Sequence, residues 1–390
     1  MRLYGKRMGE PILIIGAGIG GLSAALALRQ TGFDVEVYER AHEIKETGAG
    51  LTLTENGSLA LEGLGLKQAA WGLSDIAAVT AFIHYQTGEI FHITPAPVGE
   101  AAERAANRVI HRSDMHGLLL EACRAAGARI FTGAKLVGVE QDEAHARAIF
   151  ADGEVANGQA LIGADGLRSV TRATLHGEAR PNHTGKVAWR CLIPTELVAD
   201  LTGGHASAVH FGPKATFVRY TVRHGAVLNC VAIVETDIMA ADDWSTPSTN
   251  AELKAQFAGW DKGLLDLIDR IPAGTIYKWP LFDRDPINQW TFGRVTLLGD
   301  AAHPMLPFLG IGASMAIEDA LVLQRAVVEA GNLADGLLRY ERARVDRAAE
   351  VVLTSREQGK LIQGEKVIET FSKPREPLSV FTYDATKAKV

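Results

Sequence analysis

The sequence has few cysteines and lacks a long apolar segment, and both features exclude classes of protein. Its three cysteines lie far apart, at Cys123, Cys191 and Cys230, so neither a disulfide framework nor a zinc site is expected. No run of about 18 apolar residues is present to cross a membrane. The apolar run 11–15 is too short for the core of a signal peptide. We therefore expect a cytoplasmic protein with reduced thiols, without a metal or a membrane partner.

The sequence also lacks a block or stripe of lysine and arginine. Its net charge is −6, so a nucleic-acid partner is not expected. Its 390 residues are too many for one small hydrophobic core, and 47% hydrophobic with 22% charged residues is ordinary for a soluble globular protein. We expect two interlocked domains in a chain that acts as a monomer or a homodimer.

The chain starts with the pattern of a strand, a turn, a helix and a second strand. The apolar run 12–15 leads into the glycine-rich segment 16–21, and a helical pattern follows and ends at Gly32. Apolar and polar residues then alternate over 33–37, and this strand closes at Glu39 and Arg40. This order predicts one Rossmann-type unit.

Gly16, Gly18 and Gly21 form the pattern G-x-G-x-x-G. The first glycine permits a tight turn, the second lets a pyrophosphate approach the backbone, and the third lets the helix pack closely on the strand. Glu39, about 20 residues further on, is placed to accept hydrogen bonds from an adenosine ribose. The pattern fits NAD or FAD, and a purely structural glycine-rich turn is the alternative.

Two further motifs follow predicted strands. One is Gly163-Ala164-Asp165-Gly166, and the other is Gly299-Asp300-Ala301-Ala302-His303-Pro304. With the glycine fingerprint, and in this order, they resemble the motifs of the FAD-dependent aromatic hydroxylases of the p-hydroxybenzoate hydroxylase type. The chain looks most similar to the salicylate, 3-hydroxybenzoate and 6-hydroxynicotinate monooxygenases of that group. The resemblance extends over nearly the whole chain.

The resemblance implies FAD as cofactor and assigns residues to it. Asp300 is expected at the ribityl chain, Asp165 near the pyrophosphate, Arg112 in contact with FAD and Gly50 beside the flavin. The helix that begins near Gly312 is expected to direct its N-terminus at the flavin, although Ile311 replaces the family's usual glutamine. The full set of expected cofactor-binding residues is Gly16, Gly18, Gly21, Glu39, Arg40, Gly50, Arg112, Leu136, Asp165, Asp300, Gly312 and Ala313.

The substrate residues are expected on a sheet formed by short strand-like runs such as 216–222 and 227–234. The hydroxybenzoate relatives have a histidine four residues before a tyrosine, whereas Thr216 takes that position before Tyr220 here. His210 is a candidate for the missing base. Neighbours on a strand face opposite ways, so either Tyr220 or Arg219 faces the pocket, and we favour Tyr220.

Two residues of the third motif complete the expected catalytic set. Pro304 is expected close to the flavin ring and His303 is a possible acid–base group, with a structural loop histidine as the alternative. The segment 189–194 partly matches the Trp-x-Trp-x-Ile-Pro motif of flavin halogenases, but Cys191 replaces the second tryptophan. We therefore do not favour a halogenase.

The expected fold class is α/β, with a Rossmann-type FAD-binding domain, an interleaved antiparallel-sheet substrate domain and C-terminal helices. The predicted boundaries are 1–70, 100–180 and 280–365 for the FAD-binding domain, 71–99 and 181–279 for the substrate domain, and 366–390 for a C-terminal tail.

The resemblance implies the reaction as well. NADH or NADPH reduces FAD, O2 adds to the reduced flavin as a C4a-hydroperoxide, and one oxygen atom passes to an aromatic or N-heteroaromatic hydroxy acid. The absence of a second dinucleotide fingerprint agrees with transient NAD(P)H binding. The alternatives are a flavin-dependent oxygenase acting on a non-acid phenolic or heterocyclic substrate, a conventional NAD-dependent oxidoreductase, and a flavoprotein without turnover.

Overall fold

The computed structural model describes residues 9–44, 49–77, 80–95, 97–99, 106–236, 246–373 and 375–390. The strands are β1 (Ile12–Ile15), β2 (Val35–Glu39), β3 (Gly50–Leu53), β4 (Ser74–Ile76), β5 (Thr80–His84), β6 (Ile90–Thr94), β7 (Arg108–His111), β8 (Arg129–Thr132), β9 (Leu136–Gln141), β10 (Ala146–Phe150), β11 (Val155–Gly158), β12 (Ala160–Gly163), β13 (Asn182–Pro194), β14 (Ser207–Gly212), β15 (Ala215–Val222), β16 (Val227–Glu235), β17 (Thr246–Pro247), β18 (Tyr277–Asp283) and β19 (Val295–Leu297). The α-helices are α1 (Ile19–Gln30), α2 (Glu55–Gly63), α3 (Lys67–Gly72), α4 (Arg112–Ala125), α5 (Val170–His176), α6 (Asn250–Ala255), α7 (Lys262–Asp269), α8 (Gly312–Ala330), α9 (Leu333–Ile362) and α10 (Val367–Phe371). Short 3-10 helices span Thr195–Leu197, Ala199–Leu201, Gly299–Ala301, Pro307–Leu309 and Ser379–Phe381.

A five-stranded parallel sheet has the order β19-β12-β1-β2-β8. Its central strand β1 is apolar on both faces because both are covered. Ile12 and Ile14 pack in one core with α1 and α8, whereas Leu13 and Ile15 pack on the other face against the small sheet β11-β10-β9. A continuous apolar run is typical of such a doubly covered strand. This part of the predicted α/β fold is confirmed.

An eight-stranded sheet has the order β17-β18-β13-β16-β15-β14-β5-β6 and is antiparallel except for the pair β14–β5. Alternation along its strands gives it two different faces. One face, with Trp189, Phe217 and Cys230, forms a core with α6 and α7. We call this the helix-covered face. The opposite face carries Arg190, Tyr220 and Asn229 at the alternate positions, and we call it the pocket face because the substrate is expected beside Tyr220.

The hairpin turn between β15 and β16 joins this sheet to elements near the parallel sheet. Arg223, in the left-handed region at φ 56°, donates to both carboxylate oxygens of Asp114 in α4, at 2.9 and 2.7 Å. The backbone N–H of the next turn residue, His224, donates to Asp75 in β4 at 2.9 Å. These contacts fix the pocket face against the sheet β3-β7-β4.

The segment predicted to be a C-terminal tail packs against the main core. Val380 and Ala385 are buried within it, and the ring of Tyr383 lies 5.0 Å from the guanidinium of Arg344 and 4.8 Å from that of Arg347. This segment is therefore part of the core rather than a tail, because its small apolar residues fill a gap beside α8 and α9. The other domain boundaries stay a prediction, and 100–105 and 237–245 lie outside the described residues.

In the described part of the chain, every helix is too short or too polar to span a bilayer. The same residues contain no cluster of three or more His, Cys, Asp or Glu side chains able to hold a metal ion.

Candidate active site

A cavity of about 620 Å³ opens where the carboxyl ends of β1, β12 and β19 meet the start of α1 and α8. Ligands of open parallel sheets bind at this edge. The cavity gathers most of the residues predicted to bind the cofactor, although they are scattered along the chain. Those that line it are Gly16, Gly18, Glu39, Arg40, Arg112, Leu136, Asp165, Asp300, Gly312 and Ala313.

The three fingerprint glycines are required for three different reasons. Gly16 has φ +102°, and a Cβ there would lie 2.4 Å from the carbonyl oxygen of Ala164. A Cβ on Gly21 would lie 1.9 Å from the carbonyl oxygen of Gly16, so Gly21 allows α1 to pack on the turn. A Cβ on Gly18 would meet nothing within 4 Å. Protein packing therefore does not explain Gly18, and a ligand approaching the backbone does.

Glu39 is held by the backbone at the end of β2. Its Oε2 accepts from the N–H of Ala17 and its Oε1 from the N–H of Ala41, both at 2.9 Å. The carboxylate thus lines the cavity beside the fingerprint turn in a fixed orientation. A fixed acceptor at this position suits the hydroxyls of a ribose.

Asp165 and Asp300 lie at the ends of adjacent strands, after β12 and β19. Asp165 accepts hydrogen bonds from the hydroxyl of Ser169 at 2.5 Å and the N–H of Thr171 at 3.0 Å. Burial raises the pKa of Asp165, although these bonds act in the opposite direction. Burial also raises the pKa of Asp300, with His303 and Arg112 acting against that rise. Both carboxyl groups line the cavity.

Helix α8 begins at the cavity, as the sequence predicted. Gly312 and Ala313 are its first residues and line the cavity, whereas the side chain of Ile311 is 1% exposed and packs into the core. The replacement of the family's glutamine by Ile311 therefore leaves the backbone of the helix start in the cavity wall. A helix N-terminus presents N–H groups and the positive end of its dipole to negative charge.

His303 does not line the cavity, so of the two alternatives for this residue the geometry favours a structural loop histidine over an acid–base group. It is buried, and its Nε2 lies 2.6 Å from Oδ2 of Asp319 in α8. The same oxygen accepts from the N–H of Gly299 at 3.0 Å. Asp319 therefore links His303 to Gly299 and holds the turn that presents Asp300. Pro304 is buried in the same loop and is also absent from the cavity lining.

Tyr220 and Arg219 point to opposite sides of the eight-stranded sheet. Arg219 donates to the carbonyl oxygens of His205 and Thr202, on the helix-covered side. Tyr220 points to β3, where a Cβ on Gly50 would lie 2.6 Å from its ring and 2.8 Å from its hydroxyl. Gly50 does not line the cavity but lies at this junction, and its N–H donates to Oδ1 of Asn229 at 2.7 Å.

His210 lies on the helix-covered face, which corrects its proposed role as the substrate base. It is paired with Phe217 across the hairpin, so it shares a face with Phe217 and Arg219 and not with Tyr220. Its side chain is buried near Asp261, and burial lowers its pKa to about 3. Thr216 shares the pocket face with Tyr220 and is 2% exposed.

Arg190 is a pocket-face residue that the sequence reasoning did not single out. In register it lies opposite Val231 and Tyr277, and its guanidinium stacks 5.5 Å from the ring centroid of Trp279. Burial lowers its pKa, as does the charge of nearby Arg112, whereas Tyr220 raises it. The signal available in the sequence was a charged residue inside the otherwise apolar run 187–194.

The fold and the cavity define a dinucleotide-binding protein with a second sheet over the binding edge. A family model described as FAD binding domain matches residues 10–355. The 3-hydroxybenzoate 6-hydroxylase of Polaromonas naphthalenivorans (strain CJ2) is 37% identical over 363 residues, which cover 92% of this chain and 89% of that protein. The 6-hydroxynicotinate 3-monooxygenase of Bordetella bronchiseptica is 33% identical over 351 residues, covering 88% and 90%.

A solved structure is similar over the same extent. HpxO of Klebsiella pneumoniae, complexed with FAD and uric acid, superposes with a TM-score of 0.83 at 27% identity, covering 95% of this chain and 94% of that chain. The chain therefore belongs to the FAD-binding-domain family of FAD-dependent aromatic hydroxylases and monooxygenases, as its motifs predicted.

Proposed function

We propose that the protein uses NADH or NADPH and O2 to add one oxygen atom to a hydroxylated aromatic or N-heteroaromatic acid. The observation that carries this proposal is the meeting of two surfaces. The pocket face, with Tyr220, contacts β3 at Gly50, and Arg190 lies near Arg112 at the edge of the cavity. A small ring held there lies between the substrate sheet and the cofactor site. The names of the two curated relatives support an acid substrate.

The residues of the cavity suit FAD. Gly16, Gly18 and the start of α1 would hold the pyrophosphate, and Glu39 the adenosine ribose. Asp300 would accept from the ribityl hydroxyls, and the start of α8 would favour negative charge on the ring. When bound, FAD supplies the redox chemistry, taking electrons from NAD(P)H and activating O2. Asp165 would contribute near the pyrophosphate, and Arg40, Arg112 and Leu136 complete the cavity wall.

Tyr220 would position the substrate through a hydrogen bond. Burial raises the pKa of Tyr220 to about 12, so its phenol stays protonated at neutral pH and can donate to a substrate oxygen. Neither this phenol nor the hydroxyl of Thr216 can take a proton from the substrate at that pH. The ring must therefore be activated by its own hydroxyl or amino group, which pushes electrons into the position that is attacked.

A dry pocket is needed to keep oxygen transfer ahead of the release of H2O2. Trp279, which lies beside Arg190 on the pocket face, would supply part of such a wall, and the apolar segment 304–308 would support it from behind. Phe308 packs so closely on α9 that a Cβ on Gly359 would lie 2.6 Å from its ring. The hydroxyl of Ser355 in α9 donates to the carbonyl oxygen of Leu306 at 2.6 Å. These contacts hold the loop that follows Asp300.

The test is a panel of phenolic and pyridine acids, scored by stimulated NAD(P)H oxidation and by product mass. The expected result is a mass gain of one oxygen in at least one acid, with O2 consumed. Stimulated oxidation that yields only H2O2 with every acid contradicts the proposal. Uric acid belongs in the panel because the similar HpxO structure contains it, and its oxygenation alone would favour a heterocyclic substrate without a carboxyl group.

A further inference from the structure

Arg190 carries a positive charge on the pocket face, and no carboxylate of the described residues compensates it. Its side chain is partly buried, and its Nε has no hydrogen-bond acceptor among the described residues. Over the same residues, Arg190 forms no ion pair with Asp or Glu. The groups that act on its charge are Arg112, which is also positive, and Tyr220.

An arrangement of this kind is unfavourable in the protein alone. A charge removed from water is costly unless it is paired and hydrogen-bonded. The stacking on Trp279 holds the guanidinium plane in place but offers it no anion. The charge of the neighbouring Arg112 acts against that of Arg190, so an anionic group of a ligand beside Arg190 would be stabilising.

The position of Arg190 indicates which anion this is. The phosphates of a dinucleotide belong at the fingerprint turn, around Gly16 and Gly18. Arg112 lines the cavity that contains this turn, whereas Arg190 does not and extends instead from the eight-stranded sheet. Arg190 thus lies on the substrate side of Arg112, next to Tyr220.

We propose that Arg190 binds the carboxylate of the substrate and sets the specificity of the pocket for anionic rings. The planar guanidinium offers the forked pair of donors that a carboxylate accepts, and Trp279 fixes the plane of the fork. Tyr220, on the adjacent part of the same face, then donates a hydrogen bond to the oxygen of the ring hydroxyl. This assignment rests on the proposed function and names the part of the substrate that the pocket recognises.

The experiment measures binding without turnover. Each acid is titrated into the FAD-loaded protein under anaerobic conditions without NAD(P)H, and the dissociation constant is read from the flavin absorbance change. The probes are 3-hydroxybenzoate, salicylate and 6-hydroxynicotinate, each beside its own carboxamide. The wild type is expected to prefer at least one acid over its amide by about 30-fold. Arg190→Gln is expected to abolish that preference by weakening the acid alone, and Arg190→Lys to restore part of it.

Lys278→Gln is the matched control. Lys278 lies on the neighbouring strand β18 but on the helix-covered face, where it pairs with Glu252, so its loss removes one positive charge from the same sheet. Lys278→Gln is expected to leave the ratio of acid affinity to amide affinity unchanged. FAD retention should be equal in all variants, which excludes a folding defect.

The assignment is overturned if Arg190→Gln keeps the wild-type ratio of acid affinity to amide affinity, whether or not it retains FAD. It is also overturned if the wild type binds none of the acids more tightly than its amide. These outcomes are separate from a failure of the proposed function. If the protein prefers acids through Arg190 but produces only H2O2, the binding proposal stands and the proposed reaction is wrong.

Discussion

Removal of Arg344 should destabilise the protein far more than removal of an exposed arginine that makes two equally short bonds to carboxylate oxygens. Arg344 in α9 donates to Oδ1 of Asp319 at 2.7 Å and to Oε2 of Glu318 at 2.8 Å, and all three side chains are 0% exposed. Substitution by glutamine leaves two carboxylates buried without their main cation. Breaking such a pair costs about 3–5 kcal/mol.

The remaining contacts set the magnitude within that range. In the variant, Glu318 still pairs with Arg347 at 3.6 Å. Asp319 still accepts from the N–H of Gly299 and contacts the ring of His303. Because each carboxylate retains a polar partner, we expect the lower end of the range, a loss of about 3 kcal/mol in the free energy of unfolding of Arg344→Gln. Since Asp319 also holds the turn before Asp300, the variant should bind FAD more weakly.

The assay is urea unfolding of the FAD-free protein, because bound ligand raises the apparent stability and a weaker FAD affinity in the variant would enlarge its shift. The control is Arg270→Gln, in which an exposed arginine loses two bonds of 2.7 and 2.9 Å to Asp200. Exposed pairs contribute little, so its midpoint should stay near the wild type. If the two variants shift the midpoint equally, burial of the Arg344 pair does not determine its strength and the reasoning is refuted.

Three further predictions concern the cofactor, the substrate sheet and acid stability. Asp300→Ala should weaken FAD binding by about tenfold or more, measured by the recovery of free-flavin fluorescence, and unchanged retention would contradict its role. Tyr220→Phe should weaken the binding of hydroxylated rings by about tenfold in an absorbance titration, whereas His210→Gln on the opposite face should not; equal losses would contradict the assignment of faces. The pKa of Asp319 is lowered from 3.8 to about 2, since the charges of His303 and Arg344 outweigh its burial. A lowered folded-state pKa stabilises above the unfolded value, so Asp319 should contribute about 2 kcal/mol above pH 4 that is lost between about pH 4 and pH 2. Asp319→Asn should flatten that part of a stability–pH curve, and an unchanged slope would disprove the contribution.

The cofactor site could be predicted from sequence because its geometry is local. The positive φ of Gly16 and the close approach of Gly21 to Gly16 act within a few residues, and β1 and α1 follow from the apolar patterns on either side. Asp165 and Asp300 were assigned through the resemblance of their motifs to the family, and each comes shortly after a buried strand. Parallel strands bring such positions to one edge of the sheet.

The substrate side could not be predicted as well, since it depends on register and distant contacts. The hairpin joining β14 and β15 pairs Gly212 with Ala215, which places His210 opposite Phe217. A shift of one residue in this register would have moved His210 to the pocket face. The pattern alone does not fix that register.

Two other features rest on contacts between distant parts of the chain. His303 is structural because Asp319 and Arg344 lie around it, and no local pattern indicates that network. The carboxylate-binding role proposed for Arg190 depends on the absence of an acid near it among the described residues. Such an absence is visible in three dimensions and not along the sequence.

The most direct test of the account is the origin of the oxygen atom. The FAD-loaded protein, NAD(P)H and the preferred acid of the panel are incubated under ¹⁸O2 in ordinary water, and the product is analysed by mass spectrometry. The account predicts one ¹⁸O atom per product molecule, with equal amounts of NAD(P)H and O2 consumed. A product that contains oxygen only from water, or quantitative H2O2 with the acid recovered unchanged, would contradict it.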